Sequence, residues 1–368
     1  MQFSVNREVF LPAIQSVIGA IERRQTLPIL SNIYIQINGN EAVVIATDLE
    51  IELKNTIFLE RDFGNFQFTI PARKISDICK SLPENSNIIF HVTQDNIILS
   101  SNSSKFTLSI LPAEDYPRID VLTTSRKINL KQNKFKEIIN NVSFAMAQQD
   151  VRYYLNGMFF EIKNNSISAV TTDGHRLALS ELKSDINTDE IIQLIVPRKS
   201  VIELHRLVKD SDDELIIEID KNHIRFNINS IILTSKLIDG KFPDYKRVIP
   251  SNNEKLAKID KNNFKQALIR SSIISNEKFK GAKFIFSNNL LTIETKNSEK
   301  ENSMEELIID YCSEEMSIGF NISYILDIIN VFHEEKIIIK LKSNDASAII
   351  NQESEDISSI FVVMPMRI

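Results

Sequence analysis

The sequence predicts an α+β protein of three tandem repeats, each with two helices packed on antiparallel sheets. Three observations indicate this class: a strand-then-helix pattern that begins three times, a second strand-then-helix pattern inside each copy, and alternating apolar residues of the hairpin type after it. At 368 residues the chain is long enough for two or three domains of roughly 100 to 200 residues.

The first helix of each repeat follows a short strand. In the first copy Phe3 and Val5 alternate, and apolar residues then recur at helical spacing over residues 9–21. The same pattern begins again near residues 128 and 256. Three phenylalanines, spaced by 125 and 129 residues, mark equivalent places in this helix: Phe10, Phe135 and Phe264.

The second helix of each repeat follows another strand. Residues 68–74 end in Pro71 and basic residues before a helical pattern, and residues 194–199 repeat this with Pro197, 126 positions later. In the third copy the helix follows residues 318–323. That helix carries the acidic Asp327 and no basic residue.

Turns separate the repeats. Kindred sequences at residues 113–117 and 240–245 end the first two copies and place boundaries near residues 125 and 254. The predicted domains are residues 1–125, 126–254 and 255–368. Three such units in tandem present two unpaired ends, and head-to-tail association of those ends closes a ring or builds a filament.

Composition excludes several classes of protein. A hydrophobic share of 43% and a charged share of 25% are typical of a globular protein, no apolar run has membrane-spanning length, and the N-terminus lacks a signal-peptide pattern. We therefore expect a cytoplasmic protein without a membrane partner. A net charge of −6 argues against a surface that coats nucleic acid everywhere, while a basic face on an acidic body stays possible.

No cofactor or metal is predicted. The five histidines have no HExxH or CxxC companion, and the eight glycines form no GxGxxG or GxxxxGK pattern. The two cysteines, Cys79 and Cys312, can in principle form a disulfide, but two small buried apolar residues are the expected state.

One central motif invites a catalytic interpretation. Residues 170–177 read Val-Thr-Thr-Asp-Gly-His-Arg-Leu, and a shorter echo, Ile-Ala-Thr-Asp-Leu-Glu, occupies residues 45–50. Asp173 and His175 can form the general-base pair of a hydrolase, but no nucleophile, metal set or phosphate loop accompanies them. The alternative is a strand and turn in which both residues bond to local backbone.

Longer motifs carry a family resemblance. The chain resembles the bacterial DNA polymerase III beta subunit, the replicative sliding clamp, over its whole length. The matching motifs are residues 26–30, 150–158, 172–177, 234–237 with 242–245, 275–279 and 362–367.

The resemblance implies a fold and a function. It implies three clamp-type domains whose head-to-tail dimer forms a ring around double-stranded DNA and tethers polymerases without reading sequence. It also implies a non-enzymatic role, with the DNA polymerase III catalytic subunit, the clamp loader and other polymerases or repair proteins binding through short linear motifs. The rivals are the hydrolase and a repeat scaffold that does not bind DNA.

The resemblance implies a partner-peptide groove between domains two and three, with apolar walls and a few polar groups. The residues that match it are Leu155, Thr172, Gly174, His175, Arg176, Leu177, Pro243, Arg247, Val248, Ser347, Val362, Val363, Met364, Pro365, Met366 and Arg367. Asp345 departs from the family, because it occupies a wall position that is usually apolar.

The resemblance also indicates DNA-facing and interface positions. Arg24, Gln149, Tyr153 and Tyr154 match positions that the family uses near DNA. Basic residues of the second helices, where a solvated charged face is the alternative, are further candidates for phosphate contact: Arg73, Arg198 and Lys199. Residues that match the dimer interface, where ordinary core is the alternative, are Phe106, Leu108, Ile273 and Ile274.

Overall fold

The computed structural model describes residues 1–22, 27–119, 126–188, 190–276 and 279–367. Within these ranges it contains six α-helices and 24 strands, two helices and eight strands in each predicted repeat. Every strand pair in them is antiparallel, so the predicted α+β class is confirmed.

The helices begin where the sequence supplies caps. Asn6, Asp260 and Asn321 precede three of the helices, and their side-chain oxygens accept hydrogen bonds from first-turn N–H groups. The helices are α1 (Arg7–Val17), α2 (Ala72–Ser81), α3 (Gln132–Val142), α4 (Arg198–Leu207), α5 (Lys261–Ile274) and α6 (Ile322–Val331). The aligned Phe10, Phe135 and Phe264 are fully buried on α1, α3 and α5.

The strands that follow the second helices alternate as predicted, as residues 87–92, 214–219 and 336–341 show, whereas residues 41–47 and 157–163 are buried almost throughout. The strands of the first repeat are β1 (Gln2–Asn6), β2 (Asn32–Asn38), β3 (Glu41–Thr47), β4 (Ile51–Phe58), β5 (Asn65–Pro71), β6 (Asn87–Val92), β7 (Asn96–Ser101) and β8 (Ser104–Ser109). Those of the second are β9 (Arg126–Lys131), β10 (Gly157–Lys163), β11 (Ser166–Thr172), β12 (Arg176–Lys183), β13 (Ile192–Pro197), β14 (Glu214–Ile219), β15 (His223–Ile228) and β16 (Ile231–Lys236). Those of the third are β17 (Lys255–Asp260), β18 (Gly281–Ser287), β19 (Leu290–Lys296), β20 (Asn302–Ile308), β21 (Met316–Asn321), β22 (Lys336–Leu341), β23 (Ala348–Glu353) and β24 (Ile357–Val363).

The chain forms two compact units. Unit 1 comprises residues 1–133 and 202–237, and unit 2 comprises residues 134–201 and 238–368. Unit 1 holds a four-stranded sheet in the order β1-β6-β7-β8 and an eight-stranded sheet in the order β5-β2-β3-β4-β16-β15-β14-β9. Unit 2 holds an eight-stranded sheet in the order β13-β10-β11-β12-β24-β23-β22-β17 and a four-stranded sheet in the order β20-β19-β18-β21.

Each eight-stranded sheet therefore joins two consecutive sequence repeats. In unit 1, β4 of the first repeat pairs with β16 of the second, and in unit 2, β12 of the second repeat pairs with β24 of the third. These pairings satisfy strand edges that a single repeat leaves open. The compact units consequently cut across the predicted repeats, because the second repeat contributes half of its strands to each.

The cysteine expectation is half wrong. Cys79 is buried on α2 as predicted, and its burial raises the pKa of the thiol to about 12. Cys312 is exposed in the segment between β20 and β21, and both cysteines are free. The preceding residues Ile309 and Tyr311 take the inward positions, so the alternation leaves Cys312 facing out.

None of the helices in the described ranges has the length and apolar character needed to cross a membrane.

Candidate functional site

An apolar cluster in unit 2 contains several of the predicted groove residues. We call it the Phe159 cluster; its buried members are Ala147, Leu155, Phe159, Val170, Leu177, Leu179, Ile195, Phe242, Tyr245 and Val362. Partly buried residues pack against it: Tyr154, Ile238, Val248, Ile249 and Ile360. The fold thus brings together four predicted residues from distant parts of the chain: Leu155, Leu177, Val248 and Val362.

Strand pairing places the C-terminal tail beside the central motif. Leu177 on β12 lies opposite Val362 on β24. Beyond the strand, the N–H of Met364 donates to the carbonyl of His175 at 3.0 Å. The N–H of Met366 donates to Gly319 of β21 at 2.9 Å, so the tail is held at two points.

The central motif is a hydrogen-bonded turn. Thr172 Oγ1 accepts from the N–H of Gly174 at 3.1 Å and donates to the carbonyl of Arg176 at 2.6 Å. Asp173 Oδ1 accepts from the N–H groups of His175 and Arg176 at 2.9 and 3.0 Å. Gly174 has φ +88°, a left-handed conformation that favours glycine.

Arg176 ties this turn to the rest of unit 2. Its Nε donates to Asp173 Oδ2 at 3.0 Å, Nη1 to Asp327 Oδ2 of α6 at 2.6 Å, and Nη2 to the carbonyl of Phe144 at 2.7 Å. The guanidinium also lies 4.4 Å from the ring centroid of Tyr324. Arg176 is only 10% exposed and its donors serve the chain itself, so its part in the site is to hold the turn.

Arg152 is a site residue that the sequence analysis did not single out, although it lies inside a matching motif. It pairs with Asp150 through Nε and Nη2, at 3.0 and 2.8 Å, and Nη2 also donates to the carbonyl of Asp173 at 3.2 Å. A side chain at Gly174 would meet its guanidinium 2.9 Å from Cβ. The hydrogen bond from Arg152 lowers the pKa of Asp150 to about 2.

The segment after β16 forms another wall of the cluster. Phe242 stacks on Phe159 with ring centroids 4.8 Å apart, and Tyr245 lies against the same ring at 6.0 Å. The predicted Pro243 and Arg247 are exposed beside these buried rings. Arg247 pairs with Asp244 at 2.9 Å and keeps 87% of its side chain exposed.

Glu161 of β10 anchors this segment from below. It accepts from Tyr245 Oη at 3.2 Å, Lys246 Nζ at 3.1 Å and Gln193 Nε2 at 2.8 Å. Burial acts to raise the pKa of Glu161, but the hydrogen bonds from Gln193 and Lys246 more than offset it and hold the pKa below its usual value. Burial, together with the charge of Glu161, raises the pKa of Tyr245.

The other predicted groove residues line the surface nearby or the tail. His175 and Arg367 are exposed, and Val363 is buried opposite Arg176. Ser347 is half-buried, with its carbonyl accepting from Asn253 at 2.9 Å. Met364, Pro365 and Met366 are half-buried. Asp345, the departure from the family pattern, is exposed and accepts a hydrogen bond from Ser343 at 2.6 Å.

The described residues among those predicted to face DNA lie in the first turns of two helices and in the segment before β10. Arg73 is exposed in the first turn of α2, and Arg198 and Lys199 are half-buried in the first turn of α4. Gln149 is exposed and Tyr153 is 56% exposed in the segment before β10. Tyr154 packs against the Phe159 cluster, and the predicted Arg24 lies outside the described residues.

The predicted interface residues lie on an edge strand in unit 1 and at the end of a helix in unit 2. Phe106 and Leu108 are half-buried on β8, an edge of the four-stranded sheet of unit 1. In unit 2, Ile273 is 76% exposed and Ile274 half-buried at the end of α5. The edge strand β20 packs against that helix and exposes two apolar residues that the sequence analysis missed: Met304 and Ile308.

In the described part of the chain, no group of three or more His, Cys, Asp or Glu side chains is arranged to hold a metal ion.

Comparison with known proteins places the chain in a family. Three family models of the DNA polymerase III beta subunit match: the N-terminal domain over residues 1–120, the central domain over 129–244 and the C-terminal domain over 246–367. A beta sliding clamp of Pseudomonas putida is 43% identical, with 100% of both chains covered.

Solved structures agree. The DNA polymerase III subunit beta of Pseudomonas aeruginosa is 42% identical, with a TM-score of 0.96 and all of both chains covered. The sliding clamp of the same species bound to griselimycin also superposes over all of both chains, with a TM-score of 0.95 and 42% identity. The fold is thus the three-domain clamp fold, and the chain belongs to the DNA polymerase III beta subunit family, the beta sliding clamps.

Proposed function

We propose that this chain is a DNA polymerase processivity factor: a ring-shaped sliding clamp that encircles duplex DNA without sequence specificity. Its proposed partners are double-stranded DNA, a second copy of itself, the catalytic subunit of DNA polymerase III, the clamp loader, and other polymerases or repair proteins. The observation that carries the proposal is the full-length match to sliding clamps in sequence and in fold. The cytoplasm, where bacterial DNA lies, is the proposed location.

The strand order supports a head-to-tail ring. Each eight-stranded sheet joins four strands of one repeat to four strands of the next, through β4 and β16 in unit 1 and through β12 and β24 in unit 2. The two remaining four-stranded sheets are the missing halves of a third such sheet: β20 ends one and β8 ends the other. Pairing β20 of one protomer with β8 of its partner repeats the internal rule, and two such contacts close a dimer.

Side chains near those edges support the same contact. Phe106 and Leu108 on β8, and Ile273 and Ile274 on α5, are apolar and partly or largely exposed in the single chain. Exposed apolar residues beside an open strand edge are typical of an interface. We also propose the domain boundaries at residues 125 and 254, supported by two helices and eight strands in each range.

A partner-peptide groove on the Phe159 cluster is the second part of the proposal. Apolar walls from Leu155, Leu177, Val248 and Val362 suit an apolar side chain of a linear peptide. The half-buried Met364 and Met366 adapt to different guests. A family member that holds a ligand, the clamp bound to griselimycin, supports a binding site in this fold.

For DNA, we propose phosphate contacts from the basic first turns of α2 and α4 and from the segment before β10. Arg73 and Lys74 lie in the first turn of α2, and Arg198 and Lys199 lie in the first turn of α4, so the second helices of the first two repeats carry the same charge there. Contacts of this kind hold the phosphate backbone without reading bases. A ring that is closed around DNA needs few of them, which fits a net charge of −6.

We propose that the protein is not an enzyme. The carboxylate of Asp173 accepts from the backbone N–H groups of His175 and Arg176 and from the guanidinium of Arg176. Those hydrogen bonds stabilise a turn. They also occupy the carboxylate that the hydrolase alternative would use to orient His175.

The test is topological. The chain is loaded by a clamp loader onto nicked circular DNA and onto the same DNA after linearisation, and the retained protein is measured by gel filtration. We expect retention on the circle and loss from the linear form, because a ring slides off free ends. Equal retention on both would sink the topological mechanism, and absence from both would favour a scaffold that does not bind DNA.

Ring closure is tested in the same assay. Ile273→Ala with Ile274→Ala should give a folded monomer by light scattering that is not retained on circles. A matched surface control is Ile202→Ala on α4, where the side chain is 50% exposed. A dimer unchanged by the double substitution would remove both isoleucines from the interface.

The groove is tested with a fluorescein-labelled peptide carrying the clamp-binding segment of the DNA polymerase III catalytic subunit. Deletion of residues 364–368 removes the tail held by His175 and Gly319. We expect peptide binding to be lost while the solution mass stays that of the dimer. Retained affinity would reject the groove assignment.

A further inference from the structure

Two tyrosines at equivalent places in the first and second repeats point in opposite directions. Tyr116 and Tyr245 each follow an Asp in the turn that ends a repeat, and both are buried. Each lies against an equivalent aromatic ring of the neighbouring sheet: Tyr116 is 5.5 Å from Tyr34, and Tyr245 is 6.0 Å from Phe159. The hydroxyl groups of the two tyrosines point in different directions.

The hydroxyl of Tyr116 makes hydrogen bonds to backbone groups at and beside the first-repeat turn. It donates to the carbonyl of Asn32 at 3.2 Å and accepts from the N–H of Thr47 at 3.2 Å. Thr47 is the equivalent of Thr172, which is a predicted groove residue in the second repeat. In the first repeat, therefore, a tyrosine covers the backbone that borders the groove in the second.

The hydroxyl of Tyr245 is held at the other end of the strand. Glu161 lies two residues after Phe159 on β10, whereas Asn32 lies two residues before Tyr34 on β2. Residues two apart on a strand share a face, so both partners flank the central ring, one on each side. Four residues of strand, about 13 Å, separate these two levels.

Two substitutions between the repeats accompany the difference: Phe159 stands where the first repeat has Tyr34, whose Oη donates to Gln67 at 2.6 Å, and Glu161 stands where it has Gln36. The first-repeat equivalent of Glu161 is Gln36, a half-buried amide whose Nε2 donates to Asn38 at 3.4 Å. Glu161 is 4% exposed and gathers Gln193, Lys246 and the hydroxyl of Tyr245. A charged acceptor binds a hydroxyl more strongly than a neutral amide.

We propose that Glu161 is a positioning residue for the peptide groove: it draws Tyr245 away from the turn at residues 172–177 and so leaves the backbone of that turn uncovered for a guest. The inference rests on the proposed function, since it concerns the same groove. Glu161 contacts the segment after β16 through Tyr245 and Lys246, and it acts on the groove through these two residues.

The test changes one of these two positions to its first-repeat residue. Glu161→Gln installs the residue of the equivalent position, and affinity is measured with the labelled peptide described above. We expect affinity to fall about tenfold, the scale of one hydrogen bond to a charged group, because Tyr245 is released toward the N–H of Thr172. Adding Tyr245→Phe removes the hydroxyl that closes the turn, so the double variant should bind more tightly than Glu161→Gln alone.

A matched control is Glu181→Gln. Glu181 lies on β12 of the same sheet, where it accepts from Ser168 Oγ at 3.3 Å and pairs with Lys163 at 3.4 Å. The affinity of the Glu181→Gln variant for the peptide should equal that of the unaltered chain. Thermal melting of each variant reports whether the fold is kept.

The outcomes separate the two proposals. If the unaltered chain does not bind the peptide, the groove itself is wrong. If it binds and Glu161→Gln binds equally well, the positioning role is overturned. A double variant as weak as Glu161→Gln also overturns it, because Glu161 would then support the fold independently of the Tyr245 hydroxyl.

Discussion

Residues 47–51 and residues 172–176 form the same turn in different surroundings. In the first, Thr47 Oγ1 accepts from Leu49 at 3.0 Å and donates to the carbonyl of Ile51 at 2.8 Å, and Asp48 Oδ1 accepts from the next two N–H groups at 2.9 and 2.8 Å. The second turn makes the four equivalent bonds at 3.1, 2.6, 2.9 and 3.0 Å. The Thr-Asp pair therefore encodes the backbone of both.

The following strand also meets both turns in the same way. In unit 1 the N–H of Lys236 donates to the carbonyl of Glu50 at 2.8 Å, and in unit 2 the N–H of Met364 donates to His175 at 3.0 Å. The backbone frame is thus repeated through the adjoining sheet strand as well as within the turn. It follows that what distinguishes the second turn lies in its side chains and not in its backbone.

Three side-chain positions within the turn carry the difference, and one of them is Glu50 in the first turn and His175 in the second. The left-handed residue is Leu49, with φ +78°, in the first turn and Gly174 in the second. The last residue is Ile51 in the first and Arg176 in the second. Arg152 covers Gly174, so a turn that is only structural in one repeat becomes the support of a binding surface in the other.

The largest effect is expected from Arg176→Ile, which installs the residue of the first turn. It leaves Asp173 and Asp327 without their shared cation, and breaking such a pair costs about 2 kcal/mol here, since Asp327 is 39% exposed and water screens part of the loss. Calorimetry should show the thermal midpoint falling by about 5 °C. Adding Asp327→Asn should recover part of that loss; an unchanged midpoint in the single variant would mean that the guanidinium does not hold the turn.

A smaller effect is expected from Gly174→Leu. A leucine with φ +88° lowers the free energy of unfolding by about 1 kcal/mol. Its Cβ would lie 2.9 Å from Arg152 Nη1, so the guanidinium has to move. Peptide affinity, measured with the labelled peptide, should fall by about tenfold if that guanidinium shapes the groove. The control is the reciprocal Leu49→Gly, which should leave peptide affinity unaltered. If Gly174→Leu binds the peptide as tightly as Leu49→Gly, Arg152 does not contribute to peptide binding.

The smallest effect is expected from Leu49→Asn. Asparagine tolerates the left-handed conformation that strains leucine, so the free energy of unfolding should rise by about 0.5 kcal/mol. The thermal midpoint should increase by about 1 to 2 °C. Leu49→Ala keeps the strain and should give no gain, and a gain with alanine would show that the φ angle is not the source.

The candidate site was predictable where its residues belong to recognisable motifs. Leu177 and Val362 lie in two such motifs, and the structure pairs them across β12 and β24. Arg152 lies in a matching motif too, but nothing in the spacing shows that its guanidinium covers Gly174. Tyr324 and Asp327 were out of reach, since their contact with Arg176 spans about 150 residues of chain.

Glu161 shows why buried polar groups escape a reading of the sequence. It lies on β10 among apolar residues, and an acidic residue is seldom fully buried. The structure buries it because Gln193, Tyr245 and Lys246 converge on its oxygens. Cys312 is the opposite case: burial was expected, and the residue is exposed in the segment between β20 and β21.

By itself the sequence determined the three repeats, the helices with their buried phenylalanines and the Thr-Asp turns. These depend on short-range periodicity and on hydrogen bonds between residues two to four apart. Only the tertiary structure decided that β4 pairs with β16 and β12 with β24, and that two equivalent tyrosines point in opposite directions. Those outcomes depend on contacts between segments far apart in the chain, where open strand edges and buried donors find partners that local spacing does not specify.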